Sequence, residues 1–368
     1  MTVENKTLRI SAVGDISLGD HPVCVGHGMR SAFSKSGFEI VEGISKCFES
    51  ADLVLANLET VTSDLGLRPL SLASFEMRGN PSHLQFLRQA GIDVLCVANN
   101  HSMQHGEAAF WDTVSNVRKA GMDVIGLESG SGPNIHVISH GGIESHIFNI
   151  SLRPEEWADR NTALPYSKRE GHADLIAEVE KLRAACPGFL ICSIHWGLEF
   201  LDYPAPSQVE LGHALIDSGV DVVFGHHSHV VQPVERYKKG VIFYSLGNFL
   251  FDLWSESTKQ TLVANVELEA GQAPCVNWVP IKIGEGFRLE IADQATQTEV
   301  NSLLSWERFE TMANKPTSDD DYFARYRVEE LRFRYSSYRY FLRNILRYPP
   351  NFLVQSLART AYRRLTGT

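Results

Sequence analysis

Five short apolar runs along the chain break off in the same way. Residues 8–13 (LRISAV) stop at Gly14-Asp15, 52–56 lead into Asn57-Leu58-Glu59-Thr60, and 92–98 lead into Asn99-Asn100-His101-Ser102. Residues 189–194 lead into His195-Trp196-Gly197, and 222–224 end at Gly225 before His226-His227-Ser228-His229. Runs this short, rich in branched residues and bounded by turn formers, predict buried strands. Between them, 82–90 before Gly91, 106–120 before Gly121, 172–185 before Pro187-Gly188 and 207–218 before Gly219 carry the stop signals of helices. Strands alternating with helices predict βαβ units and a largely parallel sheet covered on both faces. The runs at 240–249, 261–268 and 276–283 have no helical stretch between them. They predict antiparallel strands completing a second sheet, and so an α/β fold layered as a four-layer α/β/β/α sandwich.

The polar ends of the runs carry the chemistry. Side chains of a strand alternate between faces, so His226, His227 and His229 cannot share one side of a continuous strand. They predict a chain that turns there, with the two-spaced His227 and His229 able to point the same way as metal ligands. Asp15, a carboxylate beside a glycine, suits a site at the carboxyl edge of a sheet, and equally a helix cap or a turn. Five such ends converging at one sheet edge predict a site.

Composition narrows the class. An apolar fraction of 43% and a charged fraction of 21% over 368 residues describe a globular chain long enough for one large domain and an appendage. The six cysteines form no Cys-x-x-Cys pair, which argues against a thiolate zinc site or a redox motif and fits a reducing compartment. The opening MTVENKTLRISAVGD has no basic stretch followed by an apolar one, and no apolar run spans about 18 residues. The expected location is cytoplasmic, with peripheral contact at the inner face of the membrane. The net charge of -10 is uneven: 322–368 hold ten arginines against two glutamates, a balance of +8 that leaves -18 on 1–321. An acidic body argues against nucleic acid as a partner.

Taken in order, GDISLG (14–19), ANLET (56–60), ANNH (98–101), HWG (195–197), GHHSHVVQP (225–233) and SLGNF (245–249) resemble the CapA family. This is the capsule and poly-γ-glutamate branch of the calcineurin-like metallophosphoesterase superfamily. The resemblance spans 8–283 and implies a metallophosphoesterase-like domain over 1–290, followed by a helical, arginine- and aromatic-rich extension over 291–368. It implies one or two divalent ions (Mn, Fe or Zn) held by Asp15, Glu59, Asn100, His195, His227 and His229, with Glu59 as the bridging carboxylate. His101, with Asn100, takes the catalytic positions, as acid or anion stabiliser. Asn57, His226 and Asn248 are candidates for orienting the ligands from behind, with His226 an alternative to His227. Two departures stand out: Ser17 replaces the histidine of Asp-x-His, and Asn57-Leu58-Glu59 replaces Gly-Asp-x-x-Asp, changes that weaken one site or favour a harder ion.

The implied function is hydrolysis of a phosphoester or a γ-glutamyl amide in making or trimming a cell-surface polymer, on a polymer or a phosphorylated small molecule. The alternative is a non-catalytic scaffold subunit of a membrane-associated polymer-synthesis complex. Trp196 and Phe200 are candidates for a stacking edge or for core, Gln232 reads as structural, and His21, His27, His105 and Glu199 lie near the motifs, as pocket-lining candidates or, by default, surface residues. Residues 302–314 predict a helix and 315–321 a linker. The basic tail predicts two amphipathic helices broken at Pro349-Pro350, the first packed on the acidic body and the last contacting a membrane or a biosynthetic complex.

Overall fold

The computed structural model describes residues 7–159 and 162–366, without the side chains of 363–366. The expectation about the opening residues and the contribution of Arg363 and Arg364 to the basic tail lie outside the described residues.

Two sheets face each other. The first runs in the order Leu289–Ile291, Cys275–Ile283, Gln260–Leu268, Leu8–Ile16, Leu53–Leu58, Val94–Cys96, Asp123–Ile125, with Asn248–Leu250 joining the end of Leu8–Ile16. The second runs Val234–Tyr237, Gly240–Phe243, Val222–His226, Phe189–His195, Ile143–Ser151, Ile135–His140. Strand alternation decides what faces what. Ile10, Ala12, Leu53 and Leu55 turn inward to meet Ile147, Ile191, Val222 and Phe224 of the second sheet. Val13, Val54 and Ala56 turn outward onto Phe33, Leu87 and Val114 of Met29–Ser36, Leu84–Ala90 and Glu107–Lys119. On the other side, Leu190, Cys192 and Val223 pack on Leu175 and Leu215 of His172–Ala185 and Pro206–Asp217. The result is the four-layer α/β/β/α sandwich.

The strands are shared out differently from the expectation. Gln260–Leu268 extends the first sheet antiparallel to Leu8–Ile16 and Cys275–Ile283 pairs antiparallel with it in turn, while the second sheet is built on the parallel pair Phe189–His195 and Val222–His226. Runs buried on both faces look alike wherever they go, so sequence pattern does not assign them to a sheet. The hairpin Ile135–His140 and Ile143–Ser151 was not expected at all; its outer strand is half-exposed and polar enough to hide its period. The helix expected over 302–314 is two helices, Gln294–Leu304 and Trp306–Glu310, parted at Ser305, which is extended and whose hydroxyl accepts from the Arg308 amide at 3.1 Å.

The linker ends sooner than expected, because Ser318 caps a helix Asp319–Arg343 and three aspartates occupy its first turn. Both tail helices pack on the body. Tyr322 joins Leu201, Tyr203 and Phe309; Phe333 stacks on Phe200 at 4.2 Å and on Trp254 at 5.1 Å. Phe352 of Pro350–Thr366 meets Val25 and Leu72. Among the described residues, no helix is long and apolar enough to cross a membrane.

Candidate metal centre

The backbone aims the polar side chains before any ligand is considered. The first strand continues past its apolar run, and its register shifts between Val13 and Asp15, so that Asp15 lies between Asn57 on one side and Asn248 on the other. Gly14 makes this possible: a Cβ there would sit 1.9 Å from the Gly247 carbonyl oxygen. In the second sheet His226 ends its strand in register with His195. The chain then turns through His227 at φ 93° and His229 at φ 59°, left-handed conformations that L residues avoid. Each carries a cost of order 1–3 kcal/mol, sustained only where the surroundings fix it, and such residues cluster at functional sites.

The side chains meet between the two sheet edges. Glu59 is fully buried, and neither carboxylate oxygen has a hydrogen-bond partner in the protein. Its Oε1 lies 3.4 Å from His195 Nε2 and 4.0 Å from His227 Nδ1, and its Oε2 lies 3.9 Å from His229 Nδ1. Two trios of candidate ligand atoms result, Glu59 with His195 and His227, and Asp15 with Glu59 and His229, each within 4.8 Å of one another. Glu59 belongs to both. Asn100 Oδ1 sits 2.9 Å from His195 Nε2, at the edge of the first trio. Asn57 donates to Asp15 Oδ1 at 2.8 Å and reaches His195 Nδ1 at 3.4 Å. Asn248 donates to the Thr258 carbonyl at 3.1 Å, which turns its Oδ1 to His229 Nδ1 at 2.8 Å. His226 Nδ1 lies 3.2 Å from Asp15 Oδ1 yet belongs to neither trio.

Charge follows burial. Burial pushes the Glu59 carboxyl well above its usual range, reinforced by Asp15 and Glu199 and opposed by Arg153. Burial alone would raise Asp15 too, but His226, His195 and His229 bring it down to about 2. Burial holds His195 and His227 well below the usual imidazole range, so both present neutral rings with a lone pair, the form that binds metal. Both ring nitrogens of His227 are buried without a partner. Buried orphan oxygens and nitrogens converging on two points fit divalent ions; an apolar ligand would leave them unsatisfied.

Other expectations are placed by the same geometry. His101 is half-buried, with its Nδ1 2.7 Å from Gln104 Oε1, and burial draws it down to about 4. The Ser17 hydroxyl turns to the Gly19 carbonyl at 2.8 Å and serves its own loop. Trp196 is core: its ring stacks on Tyr244 and its Nε1 donates to the Tyr244 carbonyl at 3.0 Å. Gln232 is structural, donating to the carbonyls of Leu201 and Tyr203. Phe200 lies on the rim, 6.1 Å from the His229 ring. His21, His27 and His105 are not surface residues: His27 is buried beneath Tyr348, His21 packs on Trp254, and the His105 Nε2 lies 2.8 Å from the Glu76 carbonyl oxygen.

Arg153 escaped the sequence reading. It follows the unexpected strand Ile143–Ser151, donates to the Gly197 carbonyl at 2.8 Å beside His195, and its charge acts on Glu59, His195 and His227. The run IFNIS ending at Ser151 was the available signal, of the same form as the other five.

Comparison with known proteins follows the same lines. Residues 9–253 match the family described as Bacterial capsule synthesis protein PGA_cap. The chain is 26% identical to the capsule biosynthesis protein CapA of Bacillus anthracis, covering 82% of this chain and 74% of that one. It is 27% identical to the PGA biosynthesis protein CapA of Bacillus subtilis, covering 77% and 74%. Among solved structures, a putative 5'-nucleotidase from Staphylococcus aureus aligns at 11% identity with a TM-score of 0.47, over 81% of this chain and 58% of that one. The chain spans less than two thirds of that structure's length.

Proposed function

The chain belongs to the bacterial capsule synthesis protein family, and from that premise we propose that it is a metal-dependent hydrolase in the biosynthesis or processing of a capsule, poly-γ-glutamate or a related cell-surface polymer. The observation that carries the reading is Glu59, a buried carboxylate with two unpartnered oxygens shared by both trios of candidate ligands. Divalent ions of manganese, iron or zinc, when bound, supply Lewis-acid activation of water and of the scissile group.

The chain's own residues do the rest. Asp15, Glu59, Asn100, His195, His227 and His229 would hold the ions. Asn57 fixes the carboxylate of Asp15 so that it need not reorganise on loading, and Asn248 sets the direction of the His229 ring through its Oδ1 at Nδ1. His101, steadied at Nδ1 by Gln104, holds or moves a proton at Nε2. Arg153 binds an anionic group of the substrate beside Glu59 and His195. Phe200, Phe333 and Trp254 form an apolar rim that keeps bulk water from this side.

The test is metal analysis of the purified chain, followed by assays on phosphoester and γ-glutamyl substrates with and without Mn²⁺. Metal-dependent release of one product class is expected. A metal-free protein whose stability chelator does not change, and which Mn²⁺ does not activate, refutes the reading.

A second reading, a scaffold subunit of a membrane-associated polymer-synthesis complex, is favoured by one observation. Val328, Leu331, Tyr335, Tyr338 and Leu342 form an exposed stripe at three- and four-residue spacing on Asp319–Arg343, flanked by arginines. Its test is Leu331→Glu with Leu342→Glu: loss of polymer in cells while the purified variant melts like the parent supports it, and full polymer production refutes it.

A further inference from the structure

Beside His101 the surface opens into a second cavity of about 430 Å³, lined among others by Arg68, Glu76, Arg78, Gln104, His105 and Trp157. It adjoins the metal centre through His101, since Gln104 Oε1 lies 2.7 Å from His101 Nδ1 and the Trp157 ring lies 6.3 Å from the same imidazole. None of the metal ligands lines it.

Arg78 is the unusual group here. The residue is only 3% exposed, its Nη2 donates to the Leu65 carbonyl at 3.3 Å, and its Nε and Nη1 are buried without any partner. Buried donors left unpaired are costly, and a charged guanidinium more so. The carboxylates that could have satisfied it are engaged elsewhere. Glu76 Oε1 accepts from Arg359 of the last helix at 2.7 Å, and Asp64 Oδ1 accepts from Arg30 at 3.0 Å. Arg68, at the exposed lip, adds a second positive charge. A guanidinium fork matches the geometry of a carboxylate or a phosphate, and no neutral ligand neutralises two arginines.

We propose that this cavity is an anion subsite that takes a carboxylate or phosphate group of the substrate, with Arg78 and Arg68 as its recognition pair. Its place next to His101 makes the substrate a polyanion, one anionic group lodged here while a neighbouring unit lies at the metal centre. That placement rests on the hydrolase reading; the anion binding itself does not.

The test separates the two. The full chain is stripped of metal with EDTA, desalted, and titrated calorimetrically with inorganic phosphate and with a γ-glutamyl hexamer. Saturable binding of at least one probe is expected, weakened roughly tenfold in Arg78→Lys, which keeps charge and loses the fork, and in Arg68→Ala. Phosphate binding alone identifies a phosphoryl source, hexamer binding alone a polycarboxylate. No saturable binding by the parent chain, or less than threefold weakening in either folded variant, overturns the proposal. Arg68 is exposed, so Arg68→Ala decides alone if Arg78→Lys does not fold. If anion binding behaves as expected and metal-dependent hydrolysis is absent, only the hydrolase reading falls.

Discussion

Substituting Glu59 by glutamine keeps the shape of the side chain and removes its charge, and the structure predicts opposite effects in two conditions. Without metal, Glu59 is a fully buried carboxyl with no hydrogen-bond partner, whose ionisation burial and the neighbouring Asp15 both oppose. Burying such a group uncompensated costs about 1–3 kcal/mol or more. Glu59→Gln replaces it with a neutral amide, so the metal-free variant is expected to be more stable than the metal-free parent, by about 1 kcal/mol. With Mn²⁺ at about a hundredfold above its dissociation constant, the parent gains about 2.7 kcal/mol from binding. The variant has lost the carboxylate common to both trios and gains little. The order of the two proteins therefore reverses between chelator and metal. At about 2 °C per kcal/mol for a chain of this size or larger, a melting curve resolves both differences. If the variant is less stable than the parent in both conditions, Glu59 is a structural residue. If Mn²⁺ raises both melting points equally, the carboxylate is not a ligand.

Three further outcomes follow from residues outside the candidate ligand set. Burial and the neighbouring Asp20 raise Asp252 from 3.8 to about 7, worth at most roughly 4 kcal/mol. The folded chain thus binds this proton more tightly than the unfolded chain, and stability falls as pH rises from about 4 to about 7 and then levels; urea titrations across that range should show the slope flattened in Asp252→Asn, and an unchanged slope refutes the assignment. Phe333→Ala removes the stack on Phe200 and Trp254 and should cost about 1–3 kcal/mol, seen as faster amide exchange confined to Asp319–Arg343; uniform exchange changes across the sheets would contradict it. Gly14→Ala forces a Cβ against the Gly247 carbonyl and should destabilise by 1–3 kcal/mol or more and weaken Mn²⁺ binding, whereas Gly130→Ala, with nothing within 4 Å, should do neither; equal effects from the two would refute the close-approach argument.

What the sequence made legible is what local physics controls. The helix read at 172–185 is His172–Ala185, because its glycine and proline stops act within a few residues. Glu59, His195, His227 and His229 were visible because each follows a run that can only be a buried strand. The division of strands between sheets was not, since Gln260–Leu268 and Val222–His226 are both buried along most of their length and their sheet is set by their neighbours. Arg153 and Arg78 were missed for a related reason. An arginine outside the long apolar runs reads as solvated, and only the tertiary fold shows that Arg78 is 3% exposed with two donors unpaired. Spacing favoured His227 over His226 but kept His226 as an alternative, because the turn that separates their directions depends on a φ of 93° at His227 that no local signal announces.

The tail helices have a bearing on how the protein is made. Every member of the two ligand trios lies at or before position 229, whereas Phe333, Tyr340 and Phe352, which close over the neighbouring loops, come a hundred residues or more later. A chain emerging from the ribosome N-terminus first, at about 5–20 residues per second, exposes the ligands for several seconds before that cover exists. If the trios hold ions, loading has a window during synthesis before that cover exists. Nascent chains stalled near residue 310 should exchange Mn²⁺ faster than the released chain, and equal exchange would show that the cover imposes no such timing.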